Sequence, residues 1–234
     1  NIEGFGAEAG AFRLESVAVV ENGPVRAVVR VKSRCADSTF EQDLLLYRGA
    51  RALEGRFRVH WRERRRALKL EFETTLSQPA VTCATPYGAT ARAADGREWP
   101  VGEWLDLADR TCGVALLADS VFAYSAEAST ASLTLLRSPI YAHHGHPLQK
   151  RQIDETLDYD HLEQGVREGR WRLLVHDGDW TAAQVPRLAV AFNNPPIPVD
   201  EAAHPGPLPR EDSLFRLESR SCLATVLKWP EEGE

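Results

Sequence analysis

The chain has 234 residues, of which 43% are hydrophobic and 26% are charged, a composition typical of a globular protein with a buried core. Its net charge of -6 argues against nucleic acid as a partner, because proteins that bind nucleic acids usually carry a strongly basic surface. No apolar run approaches the roughly 20 residues that cross a bilayer, and the chain does not open with a signal peptide, so we expect no membrane partner.

The first part of the chain alternates apolar and polar residues with a period of two. The alternation runs through "VRAVVRVKS" (25–33), "STFEQDLLLY" (38–47), "LEGRFRVHW" (53–61) and "LKLEFET" (68–74). Such a pattern predicts half-buried strands of antiparallel sheets, with one dry face and one wet face. Turn residues such as Asn22-Gly23-Pro24 separate the runs.

The alternation weakens between residues 78 and 109, where several Pro and Gly residues predict a long and partly irregular excursion. Strand patterns return at 113–119, 131–138 and 169–176. The run "DWTAAQVPRLAVAFN" predicts the one helix, opened by Asp179 or Thr181 and shortened or broken by Pro186.

The end of the chain is rich in proline. We expect residues 196–212 to form a surface crossing and residues 213–234 to supply two final strands. Ten or more strands with little helix predict an all-β fold of stacked antiparallel sheets. We treat residues 1–234 as one domain, with a core from about residue 11 to residue 195.

The four cysteines bear on the compartment of the protein. Cys35, Cys83, Cys112 and Cys222 are far apart and form no Cys-x-x-Cys pair. They are more typical of thiols in a reducing compartment than of a disulfide scaffold or a zinc knuckle. We therefore predict a cytoplasmic protein.

The segment "LRSPIYAHHGHP" (136–147) holds the densest cluster of possible metal ligands. Tyr141, His143, His144 and His146 lie within six residues. Adjacent histidines of an extended segment point to opposite sides, whereas zinc is usually held by ligands from separate elements with a fixed second shell. We therefore favour a polar loop at the edge of a substrate site and predict no metal site in this chain.

Other residues offer weaker candidates for sugar chemistry. The four carboxylates of "DETLDYD" (154–160) contain the residue types of a glycosidase pair, although acidic surface clusters are far commoner. His60 or His176 with Glu71 supplies the types of an acid–base pair. Trp99 and Trp104 are candidates for stacking on sugar rings, whereas we place Trp61 and Trp171 in the core. We find no complete catalytic constellation.

Several stretches together resemble the C-terminal β-domain of glycoside hydrolase family 38, the retaining α-mannosidases. These stretches are "GPVRAVVRV", "STFEQDLLLYRGARALEGRFRVHWRERRRALKLEF", "EWLDLADRTCGVALLADSVFAYS", "LTLLRSPIYAHHGHP", "LEQGVREGRWRLLVHDGDW" and "AVAFNNPP". They occur in family order, and the fourth is the most specific and is similar to the bacterial branch. The chain departs from the family at His60 and Glu163, where Asp is usual, and at Gly169, where an aromatic residue is usual.

The resemblance implies a large antiparallel supersandwich of the galactose-mutarotase-like type, with one short helix and long loops. In this family the zinc ligands, the aspartate nucleophile and the acid–base carboxylate belong to an N-terminal α/β barrel and its neighbourhood. The resemblance thus implies that this chain is a domain fragment, inactive alone, with no catalytic residue and no cofactor of its own. Its partners would be the N-terminal catalytic domain of the same polypeptide and a mannose-containing oligosaccharide.

The resemblance also implies a location for the substrate contacts. The β-domain of the family forms a wall of the cleft, and residues 137–164 are the match to the loop that reaches toward the sugar. We therefore predict that Arg137, Tyr141, His143, His144 and Asp160 bind substrate. Two other functions stay open: a stand-alone carbohydrate-binding module that uses Trp99, Trp104 or Tyr141, and a mutarotase-like sugar epimerase.

Overall fold

A computed structural model describes residues 8–141, 154, 156–202, 204–207, 209–219 and 221–231. Thirteen strands and one helix occupy these residues. The elements are β1 (Arg13–Asn22), β2 (Arg26–Cys35), β3 (Ser38–Tyr47), β4 (Ala52–Trp61), β5 (Ala67–Glu73), β6 (Ala80–Thr85), β7 (Gly88–Arg92), β8 (Asp95–Pro100), β9 (Trp104–Ala108), β10 (Cys112–Ala118), β11 (Ala123–Glu127), β12 (Thr130–Arg137), β13 (Gly165–Asp177) and α1 (Val185–Asn193).

The strands form two antiparallel sheets. The larger sheet has nine strands in the order β1-β2-β3-β4-β13-β10-β9-β6-β7, and the smaller has four in the order β5-β12-β11-β8. Their facing sides share one apolar core, which includes Val59 of β4, Leu107 of β9 and Leu133 of β12. The predicted all-β fold of stacked antiparallel sheets is confirmed.

Strand β4 shows how the period of two places side chains. Phe57, Val59 and Trp61 are buried between the sheets, whereas Arg56 and Arg58 are exposed on the outer face. Each strand predicted from alternation in the first part of the chain is present. The alternation reflects a strand with one face toward the core and the other toward solvent.

Two glycines allow large side chains to pack between β4 and β13. Gly55 pairs with Trp171 and Phe57 pairs with Gly169. A Cβ atom at Gly55 would lie 2.0 Å from the Trp171 ring, and one at Gly169 would lie 2.6 Å from the Phe57 ring. The absence of an aromatic residue at position 169 therefore has a packing reason, since the Phe57 ring occupies that space.

The excursion predicted for residues 78–109 is largely regular, which corrects the sequence-based interpretation. Four strands, β6 to β9, lie in this stretch. Pro86 lies in the turn between β6 and β7, and Pro100 is the last residue of β8. The prolines therefore end short strands, where a missing backbone N–H is tolerated, and do not interrupt longer ones.

The helix begins later than its predicted caps. Asp179 caps the preceding turn, since its Oδ1 accepts hydrogen bonds from the N–H groups of Thr181 (3.0 Å) and Ala182 (2.9 Å). Helix α1 then starts at Val185, with Pro186 in its first turn, where the ring does not break the hydrogen-bond ladder. Val185, Ala189 and Phe192 pack on the outer face of β9 and β10.

The described residues after Asn194 contain no helix and no strand. The two final strands predicted within 213–234 are therefore not formed in the described part of that range. Large apolar side chains there, such as Leu214 and Trp229, are exposed and have no neighbouring strand with which to pair. The division of the chain into one domain stays a prediction. Among the described residues, no helix has the length and apolar character needed to cross a bilayer.

Candidate functional site

The site predicted from the sequence lies where the chain crosses between the two sheets. The turn at 62–66 leads from β4 of the larger sheet to β5 of the smaller sheet, and residues 138–164 lead back from β12 to β13. We call the described residues of these two connections the loop base. Residues 142–153 and 155, which include His143, His144 and His146, lie outside the described residues.

Ser138 fastens the start of the returning connection. This fully buried residue accepts a hydrogen bond from Trp61 Nε1 (3.2 Å), and its hydroxyl lies 2.7 Å from the carbonyl oxygen of Glu63. Its backbone N–H donates to Arg66 O (2.8 Å), and its carbonyl accepts from Arg65 N (2.7 Å). One serine therefore ties the end of β12 to both sides of the turn at 62–66.

The two ends of the connection between β12 and β13 are bonded to each other. Ile140 and His161 form an antiparallel bridge, and Tyr141 N donates to Asp160 O at 2.8 Å. Glu163, in the left-handed region at φ 52°, accepts a hydrogen bond from Arg137 N at 2.6 Å. The two ends of the connection are thus held in one register.

Three of the five predicted site residues lie at this connection: Tyr141 and Asp160 belong to the loop base, and Arg137 is the last residue of β12 just before it. Arg137, Tyr141 and Asp160 are all exposed, and 64% of the surface of Tyr141 is accessible to solvent. Tyr141 and Asp160 are direct backbone partners, so their side chains start from neighbouring points. A phenol and a carboxylate that start from adjacent backbone positions can donate and accept hydrogen bonds with sugar hydroxyls.

An open polar pocket of about 410 Å³ adjoins this rim. Arg64, Arg65, Ile140, Asp158 and His161 contribute to its lining. Arg64 Nη1 lies 2.8 Å from Asp158 Oδ1, and His161 Nε2 is buried with no hydrogen-bond partner. Sequence reasoning missed His161, because no local pattern distinguishes it and only the bridge to Ile140 brings it to the pocket.

The described carboxylates of 154–160 do not resemble a glycosidase pair. A general acid needs a pKa above its usual value. The hydrogen bonds that Thr156 donates from its hydroxyl (2.6 Å) and backbone (3.0 Å) hold the pKa of Asp154 below its usual value. Asp158 forms an ion pair with Arg64 at 2.8 Å, so its carboxylate is engaged by a guanidinium.

The tryptophans proposed as sugar platforms have other roles. The Arg92 guanidinium covers the ring of Trp99, 4.4 Å from its centroid. Trp104 is buried and packs against Trp180, with ring centroids 5.0 Å apart. Trp61 and Trp171 are buried, which confirms the predicted core positions.

The residues proposed for an epimerase do not converge. His176 is buried on the outer face of the larger sheet, with Nε2 2.7 Å from Asp106 Oδ1. His60 lies on the same outer face, beside Arg58 on β4. Glu71 points away from the core on the smaller sheet, where it accepts a hydrogen bond from Ser132. The sandwich therefore separates both histidines from the glutamate.

No three His, Cys, Asp or Glu side chains of the described ranges are grouped so that they could hold a metal ion. The described free thiols are likewise far apart along the chain. The residues that the structure describes thus do not fit a zinc site.

The sequence of the chain is similar to that of known proteins. The sequence model of the Glycosyl hydrolases family 38 C-terminal domain matches residues 3–145. The chain is 27% identical to Alpha-mannosidase 2C1 of Mus musculus over 206 residues, which cover 85% of this chain and 18% of that protein. It is 24% identical to Alpha-mannosidase G of Dictyostelium discoideum over 189 residues, which cover 75% of this chain and 16% of that protein.

Solved structures show the same fold. An α-mannosidase from Enterococcus faecalis V583 superposes with a TM-score of 0.62 at 13% identity, over 78% of this chain and 24% of that chain. A glycosyl hydrolase family 38 protein from Enterococcus faecalis gives a TM-score of 0.69 at 15% identity, over 84% of this chain and 26% of that chain. The matched part of the chain therefore spans about a sixth to a quarter of the length of these relatives.

Proposed function

The chain belongs to the glycosyl hydrolase family 38 C-terminal domain family, and from this membership we propose that it is part of a zinc-dependent, retaining α-mannosidase of the cytoplasm. In this proposal the domain forms a wall of the substrate cleft and supports an N-terminal catalytic domain of the same polypeptide. The substrate is a mannose-containing oligosaccharide.

One observation carries the proposal. The family match and the α-mannosidase relatives extend over most of the folded part of the chain, yet they cover only a small share of each relative. In this proposal the catalytic carboxylates and the zinc ligands belong to an N-terminal barrel, as the family resemblance implies. The chain then contributes structure and substrate contacts, and we propose that it is inactive alone.

Zinc would be bound outside the described residues, which offer no fitting group of ligands. A bound zinc ion supplies Lewis-acid polarisation and a fixed point that orients substrate oxygens. The described residues supply a different contribution. Ser138 and Glu163 hold the loop base rigidly, so Arg137, Tyr141 and Asp160 are presented at fixed positions on the cleft rim.

The contribution of the loop base to substrate binding is tested in the complete enzyme with Tyr141→Ala. Loss of one positioned hydrogen bond and its ring contact should lower kcat/KM for an aryl α-mannoside by roughly 10-fold or more. The matched control is Tyr87→Ala, which removes another exposed tyrosine, on the turn between β6 and β7. Equal kcat/KM values for the Tyr141 variant and the unchanged enzyme would exclude a role for Tyr141 in the cleft.

The proposal that the chain is inactive alone is tested with the 234-residue chain itself. We expect no turnover of an aryl α-mannoside in the presence of added zinc, whereas the complete polypeptide should hydrolyse it. Turnover by the chain alone at a rate typical of intact glycosidases would contradict the proposal.

A further inference from the structure

At the β1 end of the larger sheet, one face is apolar and is left exposed by the described residues. We define the open face as Leu14, Val17 and Val19 of β1, Val29 and Val31 of β2, and Leu46 of β3. The register puts Val17 opposite Val31 and Val19 opposite Val29, so these side chains lie on the same side of the sheet. Leu14, Val17, Val19 and Leu46 each expose more than half of their surface.

The open face is a continuation of the core side of the sheet. Val31 pairs with Gln42, whose side chain accepts a hydrogen bond from the buried Trp171 Nε1. Val29 pairs with Leu44, which packs against the core cluster. The smaller sheet has four strands against nine, and among the described residues it leaves most of the core side of β1 and part of that of β2 uncovered, although Ser33 of β2 is buried.

On the opposite face of the same strands, Val28 and Leu45 are already buried, and charged side chains form ion pairs beside them. Arg30 pairs with Asp43 at 2.7 Å, and Lys32 pairs with Glu41 at 2.9 Å. Strands with one charged and one apolar face normally bury the apolar face. A contiguous apolar patch on a sheet therefore indicates a surface that another part of a protein covers.

The free edge of β1 disfavours addition of a further strand. The register shifts between Leu14 and Ser16 and again between Val19 and Glu21. Ion pairs flank both irregularities, Arg34 with Glu15 at 2.6 Å and Arg26 with Glu21 at 2.8 Å. Bulges and charges at an edge protect it from pairing with other strands. A partner should consequently pack on the face and not extend the sheet.

We propose that the open face is an interface within one polypeptide, on which another region of the complete α-mannosidase packs its own apolar surface. This inference rests on the proposed function. The matched residues amount to 18% of the mouse relative, so the proposed enzyme has a large amount of chain outside the described domain to cover the face. The open face adjoins the core, and a region packed on it extends that core across β2 and β1.

The test compares the free chain with the complete polypeptide by thiol labelling. Val19→Cys is introduced together with Cys222→Ser, which removes the exposed native thiol. Phe122→Cys in the same background is the control, since Phe122 is 76% exposed and lies beside β11 of the smaller sheet. Maleimide modification at each position is followed by peptide mass spectrometry.

We expect similar labelling rates at both positions in the free chain. In the complete polypeptide the rate at position 19 should fall by roughly 10-fold or more, because labelling then requires local opening, while the rate at position 122 stays nearly unchanged. Hydrogen exchange of the unsubstituted protein gives a second measurement. The amides of β1 should exchange more slowly in the complete polypeptide than in the free chain.

Unchanged labelling at position 19 together with unchanged exchange of β1 would overturn the inference. Concentration-dependent protection of position 19 in the free chain would also overturn it, since a second copy would then be the occupant. Mannosidase activity is measured on the same complete samples. An active enzyme in which position 19 is freely labelled rejects the interface and leaves the proposed function intact. A complete polypeptide in which position 19 is protected but which has no mannosidase activity supports the interface and contradicts the proposed function.

Discussion

At the scale of single residues, small polar side chains do much of the positioning at the loop base. Ser138 is a short side chain at the end of β12, yet it links Trp61, Glu63 and Arg66. The sequence singled out the run that contains it but not its role. That role depends on the turn at 62–66, which is more than 70 residues away in the chain and becomes a neighbour only through the sandwich.

Replacement of Ser138 by Ala should destabilise the protein. The change leaves the buried Trp61 N–H without an acceptor, which costs about 1–3 kcal/mol in the free energy of unfolding. Urea denaturation measures the loss. Ser132→Ala is the control, because Ser132 is also buried but its hydroxyl makes a long hydrogen bond, 3.4 Å to Glu71. Equal effects of the two substitutions would contradict the anchoring role.

Asp109 shows the influence of hydrogen bonds on a charged side chain. Its carboxylate accepts bonds from the Thr111 hydroxyl (2.7 Å), Thr111 N (2.8 Å), Cys112 N (3.1 Å) and Ser77 N (3.3 Å). The Thr111 hydroxyl contributes most, and together these donors hold the pKa of Asp109 well below its ordinary value of 3.8.

A lowered pKa makes a stability contribution that depends on pH. The contribution is fully present above the ordinary value of 3.8 and is lost as the pH falls toward the lower pKa of the folded state. Asp109→Asn should therefore lower the unfolding midpoint at pH 7, and the difference from the unchanged protein should shrink below pH 3.8. Thermal unfolding across pH 2–7 measures this, and a constant difference would refute the charge-based explanation.

At the scale of elements, long strands were predictable and short strands were not. The ten-residue strands β2, β3 and β4 repeat the alternation often enough for it to stand out. Strands β7 and β9 have five residues each, so the pattern repeats only twice before a turn. Proline and glycine at the strand ends then dominate the local signal, which is why residues 78–109 were expected to be irregular.

The pairing of Gly55 with Trp171 gives a prediction for β4 and β13. Gly55→Ala places a Cβ where the Trp171 ring lies, so the ring must move within a packed core. Overpacking of this kind costs about 1–3 kcal/mol in the free energy of unfolding. Chemical denaturation followed by Trp fluorescence measures the loss.

Gly23→Ala is the matched control for this substitution, because its added Cβ would meet its nearest neighbour at an ordinary 3.7 Å. It should change the unfolding midpoint much less than Gly55→Ala does. A Gly55→Ala variant with unchanged stability and unchanged Trp fluorescence would contradict the close packing of Trp171 on Gly55.

At the scale of the whole molecule, the described chain after Asn194 contributes little burial. It contacts helix α1, where Arg187 Nη2 donates to the carbonyls of Ser219 (2.8 Å) and Cys222 (3.3 Å). Large apolar residues there, such as Val199 and Leu227, are mostly exposed. The sequence predicted strands in this region, but a strand needs a neighbour, and none pairs with it in the described part of the chain.

A chain shortened to end at Pro196 should therefore keep nearly the same stability. We expect the unfolding midpoint to change by no more than about 2–4 °C, the shift that roughly 1 kcal/mol gives in a domain of this size. Differential scanning calorimetry compares the two chains. A much larger loss would mean that residues 197–234 pack against the sandwich in solution.

The sequence alone determined the all-β class, the long strands, the core tryptophans and the family, because alternation and motif order are local properties of the sequence. It also located the connection that holds Arg137, Tyr141 and Asp160. Only the tertiary structure decided which distant residues fasten that connection, that Arg92 covers Trp99, and that β1 and β2 present an apolar face that the described residues leave exposed. These features depend on which strands become neighbours and on how far one sheet extends beyond the other, and a local pattern carries neither.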